Sequence, residues 1–511
     1  MISKVNSCGL LGVDGFIVEV EADLSNGLPN FDIVGLPDMA VKESKERVRA
    51  AVKNCNFDFP ARRITVNLAP AHMKKEGPAF DLPIAMAILA AAGQINNSCD
   101  GYLFLGELSL DGALRPVSGV LPAVLAARKA GIHKVILPLL NGKEAAVVAE
   151  VEVYAAQNLY EVVKHLNNEK ILTPLAVDLE QLFKQSGSYQ IDFSDVKGQE
   201  AVKRALEVSA AGGHNCLMIG PPGSGKTMLA KRLPTILPDM SFEEALEVTK
   251  IYSVAGLMSQ NTSLVTTRPF RSPHHTVSNA SLVGGGTIPK PGEVSLAHLG
   301  VLFLDELPEF KKDVLEVMRQ PLEDNVVTIS RIHATIAYPC NTMLVASMNP
   351  CRCGHFGDPH KACTCSERQV QQYFSKISGP LLDRIDIHIE VPQVKYKHLQ
   401  SLEQCETSEQ VKQRVNQARA LQRERYKKHG LYCNAQLEAA HLREYCTLGQ
   451  EQSQLLKAAF EQLGLSARAH SRILKVARTI ADLAQCESIT TDHLAEAIQY
   501  RSLDRKFWKT F

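Results

Sequence analysis

The sequence predicts an α/β protein of several domains, with two mixed α/β regions followed by a helical one. A chain of 511 residues is too long for one hydrophobic core and suggests about three domains. Strand and helix periodicities alternate up to residue 175 and again over 191–392, and only helical spacing follows. We therefore expect domains at 1–175, 191–392 and 393–511, with a polar linker at 176–190.

The elements of the first region follow from the spacing of its apolar residues. The predicted strands are residues 17–22, 64–68 and 135–138, and the predicted helices are residues 42–54 and 79–92. The longest apolar stretch, residues 82–92, is shorter than the ~18 residues that a membrane-spanning helix needs. It therefore predicts a buried helix, and we expect no membrane association.

The last region carries helix signals of its own. Thr407 with Gln410 predicts a capping box that opens a helix ending near Gly430. Further helices are predicted at residues 450–464, 466–485 and 491–501. The last region is therefore predicted to be a helical lid on the domain before it.

The composition excludes several classes of protein. With 45% hydrophobic and 22% charged residues, the chain has the balance of a globular protein rather than a disordered or fibrous one. A net charge of +1 excludes a uniformly basic nucleic-acid coat, but it is compatible with a local basic pore. The 13 cysteines are mostly scattered singly, and the N-terminus lacks the apolar run of a signal peptide. We therefore expect a cytoplasmic protein with reduced thiols.

A phosphate-binding loop is the strongest motif of the second region. Its glycine-rich turn, lysine and threonine fit the pattern in full: Gly220, Pro221, Pro222, Gly223, Ser224, Gly225, Lys226 and Thr227. An apolar strand, residues 216–219, precedes the loop and a helix follows, which argues against a glycine-rich turn that matches by chance. The glycines let backbone N–H groups face the phosphates of ATP. Lys226 would reach the β- and γ-phosphates, and the hydroxyl of Thr227 would bind Mg²⁺.

Two acids and an asparagine complete the predicted site. Residues 301–304 form an apolar strand that ends in Asp305 and Glu306, and another strand, residues 343–347, leads to Asn349. Asp305 would hold Mg²⁺, Glu306 would orient or deprotonate the attacking water, and Asn349 would sense the γ-phosphate. Alone, these residues would fit surface acids at a strand end and a turn asparagine. With the phosphate loop they predict ATP hydrolysis.

Together these motifs resemble the AAA+ ATPases, in the branch of magnesium-chelatase motor subunits and MCM helicases. Residues 381–386, Leu-Leu-Asp-Arg-Ile-Asp, are similar to that branch's Leu-Leu-x-Arg-Phe-Asp element. The resemblance implies that Arg384 enters the ATP site of a neighbouring subunit as an arginine finger, and that the protein is a hexameric ring. A structural ion pair of Arg384 with Asp383 or Asp386 is the alternative.

The same resemblance assigns two sensor residues. It implies that Asn349 is sensor 1 and that Arg468, at the start of a lid helix, is sensor 2. Arg472 lies one helical turn further on and is the reserve for this role. Nucleotide contact by Arg468 or Arg472 therefore rests on the resemblance alone.

Three segments narrow the resemblance to the ComM (YifB) family of Mg-chelatase-like ATPases: residues 268–276, 282–286 and 289–298. The length and the order of the domains agree with that family. The resemblance implies a hexameric, ATP-driven branch-migration helicase that acts on single-stranded or branched DNA in natural transformation, with recombination proteins as further partners. The alternatives are a chelatase-type motor that remodels a protein partner for metal insertion, and an ATP-gated scaffold.

Residues 1–175 resemble the proteolytic domain of Lon, a ribosomal S5 domain 2-like fold. The matching stretches are residues 75–81, 106–117 and 127–132. An active Lon protease has a serine after its Gly-Pro pair and a lysine shortly before its Ala-Gly-Ile helix, where Ala79 and Leu121 stand here. A methyl group cannot attack a carbonyl and a leucine cannot activate a hydroxyl, so we expect no peptidase activity. Oligomerisation and DNA guidance are both open as the role of this domain.

Four cysteines lie close together after the sensor strand. They form two Cys-x-Cys pairs: Cys351, Cys353, Cys363 and Cys365. Four thiolates can hold one tetrahedral Zn²⁺ within the loop 351–365, with His355 and His360 as spare ligands. Four protein ligands would leave no open position for chemistry, so the zinc would be structural. Reduced structural cysteines and a labile disulfide are the alternatives.

Two segments are candidates for DNA contact. The alternating residues 324–336 predict a hairpin with Arg331 as its strong cation, and the loop 284–291 presents Lys290. Packing at a subunit interface is the alternative for both. A basic helix, residues 412–428, is a third candidate, but cations near a helix C-terminus are favoured without DNA.

Overall fold

The structure is a computed structural model that describes residues 1–185, 190–259, 262–286, 289–331, 334–358, 361–394 and 405–503. It forms two compact units. The first comprises Met1–Ser186, Phe242–Thr266 and Ser330–Tyr338, and the second comprises Gly187–Ser241, Thr267–Ile329 and Pro339–Phe511. Each unit has its own sheet and its own hydrophobic core.

A mixed sheet organises the first unit. The strands of residues 1–185 are β1 (Ile2–Leu11), β2 (Asp14–Ser25), β3 (Asn30–Val34), β4 (Arg63–Ala69), β5 (Tyr102–Phe104), β6 (Glu107–Leu108), β7 (Leu114–Arg115), β8 (Lys134–Pro138) and β9 (Glu152–Ala156). Seven of them form one sheet in the order β3-β4-β2-β1-β5-β8-β9, and β6 pairs with β7. Strands β1 and β2 form a long antiparallel hairpin, and the strand order puts this hairpin at the centre of the sheet. Strand β1 also pairs with β5 in parallel.

Helices cover this sheet. They are α1 (Met39–Asn54), α2 (Asp81–Ala91), α3 (Val120–Lys129), α4 (Gly142–Ala145), α5 (Leu159–Leu166), α6 (Leu179–Gln185) and, from later in the chain, α9 (Phe242–Ala255). Helix α2 is apolar on every side, and all of its residues except Ala90 are buried. It packs against β1, β2 and α1, so it forms the centre of the first core.

Most elements predicted for the first region are confirmed. The predicted strands lie within β2, β4 and β8, and the helix predicted at 42–54 lies within α1. The helix predicted at 79–92 divides, because Pro78–Phe80 form a single 3-10 turn before α2 begins. The predicted linker, 176–190, contains α6, and its residues 186–189 lie outside the described part of the chain.

Residues 242–266 and 330–338 were predicted to belong to the second region, but they pack with the first unit. The carbonyl of Ser253 on α9 accepts a hydrogen bond of 3.0 Å from the N–H of Gly119 at the start of α3. A Cβ added at Gly12, in the turn between β1 and β2, would lie 2.8 Å from Cγ2 of Ile336. Contacts far apart in sequence therefore decide the membership of these segments.

A parallel sheet organises the second unit. Its strands are β10 (Cys216–Ile219), β11 (Phe270–Arg271), β14 (Val301–Leu304), β17 (Met343–Met348) and β18 (Ile387–Glu390). Their order is β11-β14-β17-β10-β18, and all four neighbouring pairs are parallel. Strands β10, β14 and β17 are buried along their whole length, and the sequences of β10 and β14 are unbroken apolar runs. A short hairpin, β12 (Gly284–Gly285) with β13 (Lys290–Pro291), belongs to this unit, and a separate hairpin pairs β15 (Val326–Arg331) with β16 (Ala334–Pro339).

Helices surround this sheet and fill the C-terminal part of the chain. They are α7 (Glu200–Gly212), α8 (Lys226–Arg232), α10 (Asn279–Val283), α11 (Glu293–Leu296), α12 (Lys312–Val317), α13 (Pro321–Asp324), α14 (Glu367–Phe374), α15 (Gly379–Leu382), α16 (Ser408–Tyr426), α17 (Ala439–Tyr445), α18 (Gln450–Leu463), α19 (Ala467–Leu483) and α20 (Thr491–Gln499). The capping box of Thr407 and Gln410 is confirmed at the start of α16, and the three later helices are confirmed as α18, α19 and α20. Helix α17 was not predicted. Within the described residues, no helix is long and apolar enough to cross a bilayer.

A buried charge network joins the C-terminal helices to the parallel sheet. Asp386, directly before β18, pairs with Arg472 of α19 and lies 2.9 Å from Nδ1 of His214. The other ring nitrogen of His214 lies 2.8 Å from Oγ1 of Thr479, also on α19. Burial would raise the pKa of Asp386, but Arg472 and His214 hold it well below its usual range. The reserve sensor Arg472 therefore has a structural partner in this chain.

A second buried charge lies at the start of α2. The carboxylate of Asp81 is fully buried and accepts hydrogen bonds from the hydroxyl of Ser44 and the N–H of Leu108. Arg47 of α1 donates to both of its oxygens, over 2.6 Å from Nε and 2.9 Å from Nη2. This fork holds α1 against α2 and neutralises the buried charge.

We expect Arg47→Ala to destabilise the protein by about 2–4 kcal/mol, because it leaves the Asp81 carboxylate buried without its cation. The matched control is Arg49→Ala on the same helix, which removes only a cation placed 5.5 Å from the ring centre of Phe59 and should cost about 1 kcal/mol or less. Thermal unfolding of both variants measures the difference. Equal losses would contradict a special role for the buried pair.

Candidate active site

The predicted ATP-site motifs meet at one edge of the parallel sheet. The phosphate loop follows β10, Asp305 and Glu306 follow β14, and Asn349 follows β17. Parallel strands present their carboxyl ends at the same edge, where ligands bind in open α/β sheets. The sheet order therefore brings together three segments that lie far apart in the chain, with Lys226 and Asn349 separated by 123 positions.

Lys226 is buried at the start of α8 and bonds backbone oxygens of its own loop. Its Nζ donates to the carbonyls of Gly220, at 2.7 Å, and Pro221, at 2.9 Å. It also donates to Oδ1 of Asn349 over 3.2 Å, which joins the phosphate loop to the sensor strand. Burial lowers the pKa of Lys226, and the charges of Asp305 and Glu306 oppose that shift. A bound phosphate would add negative charge at this ammonium and favour its protonated form.

Thr227 and Asp305 make the second link across the site. The hydroxyl of Thr227 donates to Oδ2 of Asp305 over 2.7 Å, and the hydroxyl of Ser347 on β17 donates to Oδ1. Hydroxyl and carboxylate oxygens are the ligands that Mg²⁺ takes in phosphate-loop enzymes. The two residues predicted to bind Mg²⁺ are thus already in contact.

Glu306 differs from its neighbours in backbone conformation and exposure. It lies in the left-handed region, with φ 54° and ψ 50°, and its side chain is 55% exposed. Its N–H donates to Oδ1 of Asp305 over 3.1 Å, and its Oε2 lies 3.9 Å from Nδ1 of His275. The carboxylate is therefore accessible to water beside the Asp305 site.

The conformation of the phosphate loop depends on its glycines and on hydrogen bonds from the side chain of Gln199. Gly223 and Gly225 have φ of +76° and +88°, which residues with a Cβ rarely adopt. The side-chain amide of Gln199 donates to the carbonyls of Ser224, at 2.7 Å, and Pro392, at 3.0 Å. This amide ties the loop to the segment that follows β18.

The four loop cysteines are gathered into one cluster. Their Sγ atoms all lie within 4.8 Å of one another, and three separations are 3.3, 3.5 and 3.7 Å. Four thiolates about 2.3 Å from a zinc ion would stand roughly 3.8 Å apart, whereas a disulfide would bring two sulfurs to about 2 Å. The donor set and its spacing fit a tetrahedral metal ion. Of the two spare ligands, His355 has its Nδ1 3.1 Å from Oδ2 of Asp358. The other, His360, lies outside the described residues.

The cysteine loop packs on the phosphate loop. Gly354 has φ +86°, and a Cβ placed on it would lie 2.5 Å from Cδ of Pro222. The N–H of Phe356 donates to Sγ of Cys351 over 3.3 Å, so the cluster also orders the chain that follows. A cavity of about 400 Å³ lies beside this contact, with Pro221, Phe356 and Val394 among its walls. The cysteine cluster is therefore placed to support the phosphate loop.

The predicted arginines lie at the opposite edge of the sheet. Arg384 precedes β18, whose first residue, Ile387, pairs with Cys216 at the start of β10. The guanidinium of Arg384 is 11% exposed and pairs with Glu323 of α13, rather than with either aspartate suggested from the sequence. Arg384 holds the pKa of Glu323 below its usual value, and Arg468 adds a smaller effect.

Arg468 lies beside this pair. Its Nη1 is 3.5 Å from Oδ2 of Asp383, and its side chain is 64% exposed. The finger and sensor 2 candidates are therefore close to each other and at the edge away from the phosphate loop. Neither is brought to Lys226 of its own chain.

The three candidate segments for DNA contact differ in exposure and in the partners of their cations. Lys290 is exposed on β13 of the short hairpin, and Arg331 ends β15. The tip residues 332 and 333 and the side chain of Arg331 lie outside the described part of the structure. Cations of the basic helix α16 have partners within the chain: Lys412 with Asp239, Arg414 with Glu207 and Glu406, and Arg425 with Asp482.

The residues at the two protease-dyad positions, Ala79 and Leu121, lie in different elements of the first unit. Ala79 lies in the turn before α2, where its carbonyl accepts a 3.0 Å hydrogen bond from the N–H of Gly106. Leu121 is fully buried in α3, and its N–H donates over 3.0 Å to the carboxylate of Glu144. Ala79 thus contributes a backbone hydrogen bond, and Leu121 contributes core packing.

Three residues of the site were not assigned from the sequence: Ser347, Gln199 and His275. Ser347 is a buried polar residue in an otherwise apolar strand. A polar residue in such a strand indicates a hydrogen-bond partner, and this was the sequence signal that could have identified it. Gln199 has φ +62°, and no local pattern marks it. His275 lies in one of the segments that resemble the family, residues 268–276, and its position beside Glu306 depends on tertiary structure.

Profiles of three connected families match this chain. Magnesium chelatase, subunit ChlI, matches residues 192–399. Subunit ChlI of Mg-chelatase matches residues 20–141, and the ChlI C-terminal profile matches residues 405–501. The matches fall on the N-terminal sheet, the parallel sheet and the C-terminal helices in turn.

Individual relatives are similar over the whole chain. The competence protein ComM of Haemophilus influenzae is 47% identical over 512 residues, which cover 99% of each chain. The protein YifB of Escherichia coli is 45% identical over 507 residues, covering 99% of this chain and 98% of YifB. Lon protease 2 of Thermus thermophilus is 30% identical over 163 residues, 30% of this chain and 20% of that protease. The chain therefore belongs to the ComM (YifB) family of Mg-chelatase-like AAA+ proteins, with an N-terminal region similar to part of Lon protease.

Proposed function

We propose that this protein is an ATP-hydrolysing ring motor that moves branched or heteroduplex DNA during natural transformation. The observation that carries the proposal is the meeting of Lys226, Thr227, Asp305 and Asn349 at one sheet edge. ATP and Mg²⁺ are implied by the family. The relative ComM is named a competence protein, which supports DNA as the cargo.

In the proposed reaction each residue has a separate task. Lys226 would turn from the loop carbonyls to the β- and γ-phosphates, and Thr227 and Asp305 would hold Mg²⁺. Glu306 would orient or deprotonate the attacking water, and Asn349 would report the γ-phosphate to its strand. The N-terminal domain would act in assembly or DNA guidance rather than in peptide cleavage.

The sheet geometry supports a ring, with six subunits as the family resemblance implies. The phosphate loop lies at the carboxyl edge of β10, and Arg384 lies at the amino edge, where its carbonyl accepts a 3.0 Å hydrogen bond from Asn215. One chain therefore cannot bring its own finger to its own ATP, but a neighbouring subunit can. Arg468, beside Asp383, would serve the same neighbouring site.

Two variants separate a finger from a structural ion pair. Arg384→Ala should lower ATP turnover by about 1000-fold or more, the contribution of an arginine finger, while the ring still assembles. Glu323→Ala removes the same ion pair but keeps the arginine, so its turnover should stay near that of the unaltered protein. Turnover at saturating ATP and the assembled mass are the two measurements. Equal losses in both variants would assign Arg384 to a purely structural role.

The cysteine cluster is proposed to hold one structural zinc ion. The four-thiolate donor set and its compact spacing support this assignment. The ion would fix a loop that packs on Pro222 and follows Asn349, and so would keep the phosphate loop and sensor in register.

Metal analysis of reduced, freshly purified protein should give about one zinc per chain. Cys363→Ser should lower that ratio well below one, because it removes a thiolate ligand. Cys405→Ser is the matched control, since Cys405 lies outside the cluster and should leave the ratio unchanged. Little zinc in the unaltered protein, or equal zinc in both variants, counts against the site.

ATP turnover with and without DNA tests the proposed cargo. We expect single-stranded or branched DNA to raise turnover and to be retained by the protein. Lys290→Ala should weaken retention and flatten its salt dependence, whereas Lys311→Ala, an exposed lysine next to α12, should not. Turnover that no DNA changes, with no DNA retained, would exclude this cargo and favour a motor that remodels a protein partner for metal insertion.

A further inference from the structure

Ser347 is the one polar residue of strand β17. The strand reads Met-Leu-Val-Ala-Ser-Met, and the side chain of Ser347 is fully buried. Burying a hydroxyl costs free energy unless it forms hydrogen bonds, and an alanine would fit an apolar strand without that cost. The serine is therefore explained by its hydrogen-bond partners rather than by packing.

The strand register brings Ser347 level with Asp305. Leu304, the last residue of β14, pairs with Ala346 of β17, so the next residues along the two strands are Asp305 and Ser347. On its other side Ser347 pairs with Met218 of β10, the strand that leads into the phosphate loop. Ser347 thus lies between the two strands that lead to the predicted Mg²⁺ ligands.

The direction of the hydrogen bonds at Ser347 is fixed by its neighbours. An ionised carboxylate only accepts hydrogen bonds, so the hydroxyl of Ser347 donates to Oδ1 of Asp305. Its oxygen accepts from the N–H of Glu306 over 3.4 Å, and the same N–H lies 3.1 Å from Oδ1 of Asp305. These three groups form a closed ring of hydrogen bonds, in which Oδ1 of Asp305 is held from two directions.

Holding Oδ1 sets the rotation of the Asp305 carboxylate. The torsion at the end of an aspartate side chain is broad, so the group turns unless hydrogen bonds fix it. With Oδ1 bound to Ser347, Oδ2 faces Thr227, whose hydroxyl donates to it over 2.7 Å. Side chains that hydrogen-bond a metal ligand orient it and raise the metal affinity of the site.

We infer that Ser347 is a positioning residue that aligns the Asp305 carboxylate for Mg²⁺ and so sets the metal affinity of the site. The inference rests on the proposed ATP site, in which Thr227 and Asp305 hold the ion. The role of Ser347 is indirect, because its hydroxyl hydrogen is already given to Asp305. Without this bond the carboxylate is freer to turn, and binding the ion has to fix it at an entropic cost.

The test measures binding of Mn²⁺, which takes the same oxygen ligands as Mg²⁺ and is counted directly by electron paramagnetic resonance. The full-length protein, in excess over a non-hydrolysable ATP analogue, is titrated with Mn²⁺. Ser347→Ala should weaken Mn²⁺ binding about tenfold or more. Its affinity for the analogue in EDTA should stay unchanged, because the phosphate loop and Lys226 keep their own hydrogen bonds.

Ser295→Ala is the matched control. Ser295 is equally buried, on α11 of the same unit, and its hydroxyl has no hydrogen-bond partner among the described residues. The substitution removes the same atom from an apolar environment but leaves Asp305 untouched. Mn²⁺ binding should therefore equal that of the unaltered protein.

Unchanged Mn²⁺ affinity in Ser347→Ala overturns the inference, and so does an equal loss in Ser295→Ala. A matching loss of analogue binding in EDTA overturns it as well, because the substitution would then have disturbed the strand rather than the carboxylate alone. An unaltered protein that binds the analogue but no Mn²⁺ would instead contradict the proposed Mg²⁺ ligands, and with them the basis of the inference.

Discussion

The hydrogen bond between Thr227 and Asp305 ties together the ends of two strands that are not neighbours in the sheet. Strand β17 lies between β10 and β14, and Ser347 from β17 bonds the same carboxylate. The parallel sheet places all three carboxyl ends at one edge, and its order sets the end of β17 between the other two. The hydrogen bond from Lys226 to Asn349 links the ends of β10 and β17, which are neighbours in the sheet. The geometry of the site thus depends on the register of three buried strands.

The same strands separate two groups of residues that the proposed ATP hydrolysis requires. Residues that bind phosphate and metal lie at the carboxyl edge, while Arg384 and Arg468 lie at the amino edge. The length of a strand cannot be crossed by an arginine side chain of the same chain. The proposed ring follows from this separation, because a neighbouring subunit can present its amino edge to the phosphates. The pair of Arg384 with Glu323 would be exchanged for a phosphate on assembly.

The proposed zinc site would stabilise the cysteine loop by a means other than apolar burial. A loop of this length beside a glycine-rich turn has few apolar side chains to fix it. The proposed zinc ion on the four clustered thiolates, together with the close approach of Gly354 to Pro222, would supply the missing order. Such support would let the phosphate loop keep the open glycine backbone that phosphate binding needs.

The sequence by itself determined the elements whose signal is local. Apolar runs gave β10, β14 and β17, the glycine spacing gave the phosphate loop, and the adjacent acids marked the end of β14. Tertiary structure decided what depends on register and packing across the chain. The sequence did not place Ser347 on Asp305, Arg384 on Glu323 or His275 beside Glu306. These contacts join segments tens of residues apart, and no local pattern carries them, because only the strand order sets which side chains meet.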